Sequence, residues 1–176
     1  IIFMSDSKLL TKNFFFFILY LLIMKYLLIS LILLGLVQHS FSQSGVARCT
    51  YHLYSPSTPL TNVACSDGDN GIIRWGYKDL SQMFPYVSAW QDVAWNSPKC
   101  GDCMKITYQS KVIHVTVIDQ CGKSDKANTS HFDLSKEAFY ELFGQDGINK
   151  GTMEGNFSLV SPSNCKGNRK RASVFE

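Results

Sequence analysis

The sequence MKITYQSKVIHVTVI occupies residues 104–118. Apolar and polar side chains alternate on both sides of Gln109-Ser110-Lys111, and β-branched residues dominate the second half, as in half-buried strands. This pattern predicts two strands, Met104–Tyr108 and Val112–Ile118, that form a hairpin. We therefore expect the fold to be mainly β.

Shorter segments of similar character lie on both sides of this hairpin. We predict further strands at Arg48–Tyr54, Val63–Cys65 and Asn156–Val160. A short helix is predicted over Lys78–Phe84, and a second helix is predicted to begin after the N-cap Ser135 and to end at Gly144. Several short strands with one or two short helices predict a small closed β-barrel.

The chain of 176 residues divides by composition into a leader and a body. Between Phe14 and Val37 all but three residues are apolar. From Met24 onward, a lysine, an apolar run and a small-residue site form a secretory signal peptide pattern. We predict a signal peptide at 24–42 with cleavage after Ser42, and we interpret 1–23 as an untranslated or spurious extension. A start at Met4 would instead give an apolar stretch long enough for a membrane anchor.

The body, residues 43–165, carries 10 Lys or Arg residues against 12 Asp or Glu residues. A nearly neutral domain of this kind does not predict nucleic-acid binding. Residues 166–176 carry 4 basic residues against 1 acidic residue and are predicted to form a solvated basic tail. We expect the exported body to be a monomer that has no membrane contact, no metal and no cofactor.

All six cysteines lie in the body. An even number of cysteines in a small exported domain predicts three disulfides. The spacing Cys100-Gly101-Asp102-Cys103 also occurs in redox and zinc motifs. An alternating strand follows Cys103 where a redox motif needs a helix, and the other cysteines are too isolated for a zinc finger. Disulfides are therefore the preferred interpretation.

Three segments resemble the motifs of one known family. They are VACSDGDNG at 63–71, WNSPKCGDC at 95–103 and SNC at 163–165. In this order they resemble the cerato-platanin family over 46–165. The resemblance implies a small six-stranded double-psi β-barrel, stabilised by disulfides and related to expansin and barwin-like barrels. It also implies a secreted fungal protein that binds chitin oligomers, loosens polysaccharide without hydrolysis and elicits plant defences.

The resemblance also implies how the cysteines pair. The four-cysteine pattern of the family, carried over, implies the pairs Cys65–Cys100 and Cys103–Cys165. Cys49 and Cys121 depart from the family pattern. Because these two remain, and because extra bonds occur in barwin- and expansin-like relatives, we predict the pair Cys49–Cys121.

Other segments resemble expansins and family 45 endoglucanases more than typical cerato-platanins. They are TY at 50–51, DQC at 119–121 and HFD at 131–133. The resemblance implies a glycan-binding groove in which Asp119 holds sugar hydroxyl groups. The other predicted groove residues are Tyr51, Asp69, Asn70, Gln120 and Asp133.

The chemistry of the groove has open alternatives. Asp133 occupies the position of the family 45 acid, but residues 50–55 lack the carboxylate that would serve as base. This argues against hydrolysis, although a lytic transglycosylase needs only one acid. Asp119 could instead cap a strand end, and Asp133 could stabilise the start of a helix. We interpret His131 as structural rather than catalytic.

Aromatic side chains in the body could stack on sugar rings or fill the core. Tyr51 is the preferred groove aromatic, whereas Trp95, beside the CxxC motif, is assigned to the core. Two sequons predict N-glycosylation of the exported chain at Asn128 and Asn156. Asn128 lies in a polar loop and is expected to be the more accessible of the two.

The main hypothesis is a secreted protein that binds cell-wall polysaccharide and loosens it without hydrolysis. Its expected ligands are chitin or N-acetylglucosamine oligomers, with cellulose second, and a plant immune receptor is the expected partner of an elicitor activity. One alternative is a weak glycan-cleaving enzyme that uses Asp133, with Asp119, in catalysis. Another is a surface-active coat or elicitor for which glycan binding is incidental.

Overall fold

The computed structural model describes residues 17, 20–27 and 43–170. The chain divides into two compact units, Ile1–Phe41 and Ser42–Glu176. Residues 20–27 are helical, and most of the predicted extension and signal peptide, with its cleavage site, lies outside the described residues. Among the residues that are described, no helix has the length and apolar character needed to cross a bilayer.

Within residues 43–170, six strands close into a barrel, which confirms the predicted fold class. They are β1 (Ser44–His52), β2 (Val87–Trp90), β3 (Cys103–Tyr108), β4 (Lys111–Gln120), β5 (Thr129–Ser135) and β6 (Met153–Val160). Their order around the barrel is β1-β5-β2-β4-β3-β6. The pairs β1–β5 and β2–β4 are parallel, and the other four pairs are antiparallel.

The helix α1 (Lys136–Lys150) follows β5 directly. Its predicted N-cap is confirmed, since the Ser135 hydroxyl oxygen accepts a hydrogen bond from the Ala138 N–H at 3.1 Å. Gly144, with φ of 69°, interrupts the helical backbone, but the predicted end of the helix at this residue is wrong. The chain resumes the helix, which ends at Gly151 with φ of 71°. Both angles lie in the region that favours glycine.

Two predicted elements are wrong, and two strands were not predicted. Val63–Cys65 is a buried turn rather than a strand, although the Cys65 N–H donates to the Ile118 carbonyl oxygen at 3.0 Å. Lys78–Phe84 forms turns rather than a helix. The strand β2 has only four residues, all of them buried, so it shows no alternation that a sequence pattern could reveal. The other unpredicted strand, β5, carries the HFD motif.

Stacked aromatic rings fill the centre of the barrel. Trp90 and Phe132 lie nearly parallel with centroids 5.6 Å apart, and Phe157 lies 5.0 Å from Phe132. The Trp90 indole N–H donates to the Ser130 hydroxyl at 2.8 Å, so its buried polar group is satisfied. Burying each of these rings stabilises the fold by roughly 1.5–3 kcal/mol. This core holds the strands that carry the polar residues described below.

Two of the three predicted disulfides are present, Cys65–Cys100 and Cys103–Cys165. The third prediction is wrong for this structure, in which Cys49 and Cys121 are free thiols. Cys49 is fully buried on β1. The Cys121 thiol instead donates to the His131 carbonyl oxygen at 3.3 Å. Burial raises the pKa of Cys121 to about 12, with the Asp133 charge adding to this, so the thiol stays protonated.

Residues 166–170 pack against the barrel, so the prediction of a solvated tail is wrong for this part of the chain. Lys170 Nζ lies 2.6 Å from Asp102 Oδ1, and both side chains are largely shielded from solvent. The Arg169 guanidinium lies 4.5 Å from the centre of the Tyr77 ring. Burial raises the pKa of Asp102, while the Lys170 ammonium acts in the opposite direction. The rest of the predicted tail, residues 171–176, lies outside the described residues.

Candidate functional site

Two carboxylates and a threonine lie in one row across three pairs of strands. Ala89 of β2 pairs with Asp119 of β4 on one side and with Asp133 of β5 on the other. Asp133 in turn pairs with Thr50 of β1. Residues in register on neighbouring strands share a face of the sheet. We term Thr50, Asp133, Ala89 and Asp119 the carboxylate row.

The carboxylate row faces outward from the barrel. The next residues along its strands, Cys49, Phe132 and Trp90, are fully buried, and successive side chains point to opposite faces. Two strand spacings separate the aspartates, which places their Cα atoms about 9.5 Å apart. Both aspartates are half-buried, whereas Ala89 between them is covered by its surroundings.

A β-bulge aims Asp119 toward this face. Ser88 pairs with Val117, but Ala89 pairs with Asp119, so Ile118 is an extra residue in β4. Without the shift, Ile118 would stand opposite Ala89, and the carboxylate would share the core-facing side with Trp90. The bulge therefore places the Asp119 side chain at the surface. Regular alternation along β4 would have placed it in the core.

Asp119 accepts hydrogen bonds from three donors. Its Oδ1 accepts from the backbone N–H groups of Ala64 and Gln120, each at 2.8 Å. Its Oδ2 accepts from the Tyr54 hydroxyl at 3.1 Å. These bonds show that the strand-end capping role raised from sequence is part of what Asp119 does. A carboxylate has about four acceptor positions, so one position on Oδ2 is left for an outside donor.

The aromatic residue of this region is Tyr54, not the predicted Tyr51. Burial, followed by the Asp119 charge, raises the pKa of Tyr54, so its hydroxyl is a neutral donor. The His52 ring lies 4.6 Å from the Tyr54 ring. Tyr51 lies on the opposite face of β1 from Thr50 and packs on Phe139 with ring centroids 5.2 Å apart. The structure thus does not bring Tyr51 to the carboxylate row.

Asp133 is one end of a chain of hydrogen bonds. The Thr50 hydroxyl oxygen lies 2.8 Å from Asp133 Oδ1 and 2.8 Å from His131 Nε2. The other ring nitrogen, His131 Nδ1, lies 2.7 Å from the carbonyl oxygen of Gly122. That carbonyl oxygen can only accept, so Nδ1 carries a hydrogen.

One hydroxyl group links the two side chains. Thr50 donates its hydroxyl hydrogen to Asp133 Oδ1, and the same oxygen lies within hydrogen-bonding distance of His131 Nε2. The hydroxyl group of Thr50 therefore joins the His131 ring to the Asp133 carboxylate.

The other predicted site residues lie elsewhere. Asp69 pairs with Arg74 at 3.1 Å on the exposed surface. Asn70 is bound to Asn96, since its backbone N–H donates to Asn96 Oδ1 at 3.0 Å and its amide donates to the Asn96 carbonyl oxygen at 2.9 Å. Gln120 is exposed at the end of β4, directly after Asp119. Asp69 and Asn70 thus belong to a second region of the molecule. We term this region the loop pair and define it as residues 65–71 and 94–100.

The loop pair brings together two of the motifs singled out in the sequence. The Cys65–Cys100 disulfide joins its two halves. Gly68 has φ of 82°, and a Cβ atom there would lie 2.6 Å from Asn96 Oδ1, so only glycine fits. Trp95 Nε1 donates to Asp67 Oδ1 at 2.6 Å. The assignment of Trp95 to the core is wrong, because its side chain is 62% exposed.

Both predicted glycosylation sites are exposed. Asn128 lies in the turn before β5 with φ of 58°. Asn156 lies within β6, where its backbone is paired with β1 and β3. The difference in accessibility that we expected between the two is therefore not observed, and modification at either site stays a prediction.

Comparison with known proteins decides the family. The family model described as Cerato-platanin matches residues 48–167. The chain belongs to the cerato-platanin family. This range includes most of β1, all of the other five strands and both halves of the loop pair. The family predicted from the three sequence motifs is therefore confirmed.

Individual proteins show a similar likeness. The "Heat-stable 19 kDa antigen" of Coccidioides posadasii is 36% identical over 117 residues, which cover 65% of this chain and 75% of that protein. The crystal structure of cerato-platanin 3 from M. perniciosa matches with a TM-score of 0.61 at 29% identity, over 68% of this chain and 98% of that one. A solution structure described as "the fungal elicitor Cerato-Platanin" matches with a TM-score of 0.54 at 26% identity, over 70% and 99%.

Proposed function

We propose that the protein binds cell-wall polysaccharide at the carboxylate row and loosens it without hydrolysis. The observation that carries the proposal is the pair of half-buried, outward-facing carboxylates of Asp119 and Asp133, whose Cα atoms the strand register places about 9.5 Å apart. Asp119 has an acceptor position left on Oδ2. Asp133 Oδ2 forms no hydrogen bond within the described part of the chain. Sugar hydroxyl groups are suitable donors to both.

The proposed ligands are chitin or N-acetylglucosamine oligomers, with cellulose as the second candidate. These polymers are uncharged, as suits a body with 10 basic and 12 acidic residues. We place the protein outside the cell, because its two disulfides need an oxidising compartment. Because a structural neighbour is described as a fungal elicitor, elicitor activity through a plant immune receptor is part of the proposal.

Loosening requires no covalent chemistry. The three donors on Asp119 fix its carboxylate before a ligand arrives, which lowers the ordering cost of binding. A sugar hydroxyl bound at Asp119 or Asp133 is removed from the hydrogen bonds that join neighbouring polysaccharide chains. Binding therefore competes with packing of the polymer.

Calorimetry with chitohexaose and cellohexaose tests this proposal. Asp119→Asn keeps an acceptor for the Ala64 and Gln120 N–H groups but removes the charge, and should weaken binding about tenfold. Asp146→Asn is the matched control, because the Asp146 side chain forms an exposed ion pair with Lys150 on α1 and lies on a different element from the row. Unchanged affinity in Asp119→Asn would overturn the assignment of the site. A wild-type protein that binds neither oligosaccharide would overturn the function.

The hydrogen-bonded chain through Thr50 favours a second candidate, a weak glycan-cleaving enzyme with Asp133 as the acid. Inverting glycosidases need two carboxyl groups about 6.5–9.5 Å apart, and Asp119 is the partner that the register offers. Three of the four acceptor positions of Asp119 are occupied, which leaves little capacity to activate a water molecule. We therefore rank binding above cleavage.

Mass spectrometry separates these two candidates. The protein is incubated with chitohexaose, cellohexaose and insoluble cell walls, and released sugars are identified. Binding without new sugars supports the main proposal. New sugars that disappear in Asp133→Asn would establish the enzyme and overturn the non-hydrolytic proposal.

A further inference from the structure

The tryptophans of the body occupy three different environments. Trp90 is fully buried in the barrel, Trp75 is half-buried, and Trp95 is 62% exposed. Leaving most of an indole in water forgoes a substantial part of the free energy that its burial would supply. A single exposed apolar residue can be incidental, so its surroundings must decide whether Trp95 has a role.

The Trp95 indole is held in a defined orientation. Its N–H donates to Asp67 Oδ1 at 2.6 Å, and the Ser66 hydroxyl donates to the same oxygen at 3.1 Å. These hydrogen bonds, the one from Trp95 first, lower the pKa of Asp67, so its charged form persists in mildly acid solution. The next residue, Asn96, is bound to Asn70 on the other side of the loop pair. A side chain anchored in this way loses little freedom when a ligand covers it.

The groups around this indole are polar and carry both hydrogen-bond donors and acceptors. Asp67 Oδ2 forms no hydrogen bond within the described part of the chain, and Asp69 and Asn70 are exposed nearby. The area of one aromatic ring within a polar rim is far smaller than the roughly 800 Å² of surface that each partner buries in a stable protein complex, so this surface does not suit a protein partner. The Asp67 carboxylate beside it also disfavours an anionic lipid surface. A pyranose ring, with an apolar face and a hydroxyl rim, fits these groups.

The indole also lies near the carboxylate row. Ala64, which donates to Asp119, is three residues before Asp67, so the Cα atoms of Ala64 and Asp67 are at most about 11 Å apart. Asp67 directly contacts Trp95. An oligosaccharide of several units bound at Asp119 can therefore reach the indole.

We propose that Trp95, oriented by Asp67, is a stacking platform for a pyranose ring of a polysaccharide whose neighbouring units bind at the carboxylate row. This inference rests on the proposed function, because it takes the same ligand. It adds a second contact region, the loop pair, that recognises the apolar face of a sugar rather than its hydroxyl groups.

Tryptophan fluorescence and calorimetry test the platform directly. The protein is expressed from its complete sequence, recovered as the host cell processes it, and titrated with chitohexaose and cellohexaose. A sugar stacked on Trp95 should shift its emission to shorter wavelength, and Trp95→Phe should remove that shift. Trp95→Ala should weaken hexaose binding about 3- to 10-fold, and Trp95→Phe should weaken it less.

Tyr140→Ala is the matched control, because Tyr140 is an aromatic residue on α1 that is 54% exposed. This variant should bind the hexaoses with the affinity of the wild type. Circular dichroism verifies that each variant is folded. If Trp95→Ala does not fold, Trp95→Phe still tests the proposal.

Two failures are distinguishable. If Asp119→Asn weakens binding while both Trp95 variants bind like the wild type, the platform is refuted and the proposed function stands. If the wild type binds neither hexaose, both proposals are refuted.

Discussion

The carboxylate row and the loop pair hold their polar residues by different means. In the row, backbone ladders between β1, β5, β2 and β4 place Thr50, Asp133 and Asp119 in register. In the loop pair, no regular secondary structure positions the polar residues. They are held by a disulfide, by the hydrogen bond between Asn70 and Asn96, and by the hydrogen bond between Trp95 and Asp67. The row is thus an outcome of the barrel, whereas the loop pair depends on its own cross-links.

The two regions also differ in their cysteines. The loop pair contains a disulfide, whereas two free thiols lie beside the row: Cys49 precedes Thr50 on β1, and Cys121 directly follows β4. Removing a cross-link should therefore disturb the loop pair more than the row, and removing a half-buried hydrogen-bond acceptor should disturb the row more than the loop pair. The following predictions test that contrast in order of expected effect.

The largest effect concerns the thiols. The pKa of Cys121 is raised to about 12 by burial and by the Asp133 charge, so at pH 8 its thiolate fraction should be roughly a thousandfold below that of a free cysteine. Alkylation of the native protein should be slower by a similar factor. Unfolding without reductant should expose two reactive thiols per chain, counted by mass, and Cys121→Ser should leave one. A count of zero would show that Cys49 and Cys121 are joined in solution.

The same shifts predict a loss of stability at alkaline pH. Because the pKa values of Cys49, Cys121 and Tyr54 are raised in the folded state, folding retains protons that the unfolded chain releases. Their contribution is complete below about pH 8.5 and declines as the pH rises above it. Denaturation at a series of pH values should show this decline, reduced in Cys121→Ser.

The next effect is the loss of a cross-link. Cys65 and Cys100 are 35 residues apart, and replacing both by alanine should cost about 3–4 kcal/mol of unfolding free energy. Trp95 emission should change, since the halves of the loop pair are no longer joined. The Cys103→Ala/Cys165→Ala variant is the control, with a cost of about 4 kcal/mol for its 62-residue separation but unchanged Trp95 emission. Unchanged emission in the first variant would contradict the contrast.

Removing an acceptor should affect the row more than the loop pair. Asp119→Ala leaves the donors of Ala64, Gln120 and Tyr54 without their partner and should cost about 2–4 kcal/mol. Asp67→Ala removes an acceptor that is fully exposed and should change stability much less. Guanidinium denaturation measures the unfolding free energy of both variants, provided that its dependence on denaturant concentration is the same as in the wild type. If Asp67→Ala lost more unfolding free energy than Asp119→Ala, the proposed contrast between the row and the loop pair would be wrong.

The smallest effect tests the hydrogen-bonded chain through Thr50. Thr50→Val removes the hydroxyl between His131 and Asp133 and should cost about 1 kcal/mol. NMR of the His131 ring nitrogens should show a change in the chemical shift of Nε2, because the hydroxyl group that contacts this atom is gone. Thr107→Val is the control, since the Thr107 hydroxyl makes a long hydrogen bond, at 3.5 Å, to the Asn156 carbonyl oxygen. A His131 spectrum unchanged by Thr50→Val would rule out the chain.

Local patterns predicted the elements that carry a clear period. The β3–β4 hairpin was predicted within a few residues because its two strands are adjacent in sequence and alternate regularly. The start of α1 was predicted because Ser135 forms the cap by a contact over three residues. The strand β2 was missed because all four of its residues are buried, so its sequence has no polar face.

The candidate site was only partly predictable. Asp119, Gln120 and Asp133 were identified by their likeness to known motifs, and two of them do lie in the carboxylate row. Tyr51 was misplaced because strand alternation puts it on the face opposite Thr50. Trp95 was misassigned because a motif does not show whether a tryptophan turns inward or is held outward by a partner 28 residues away.

The sequence by itself determined the mainly β class, the family and the start of the helix, because these depend on local periodicity or on contiguous motifs. Two of the disulfide pairs were implied by the resemblance to the family, whose cysteine pattern was carried over. Only the tertiary structure decided the carboxylate row, the exposure of Trp95, the free thiols and the packing of residues 166–170. Thr50 and Asp133 are 83 residues apart, and β2 enters between β4 and β5 from elsewhere in the chain. Such neighbours are set by how strands pair around a shared core, which no local pattern specifies.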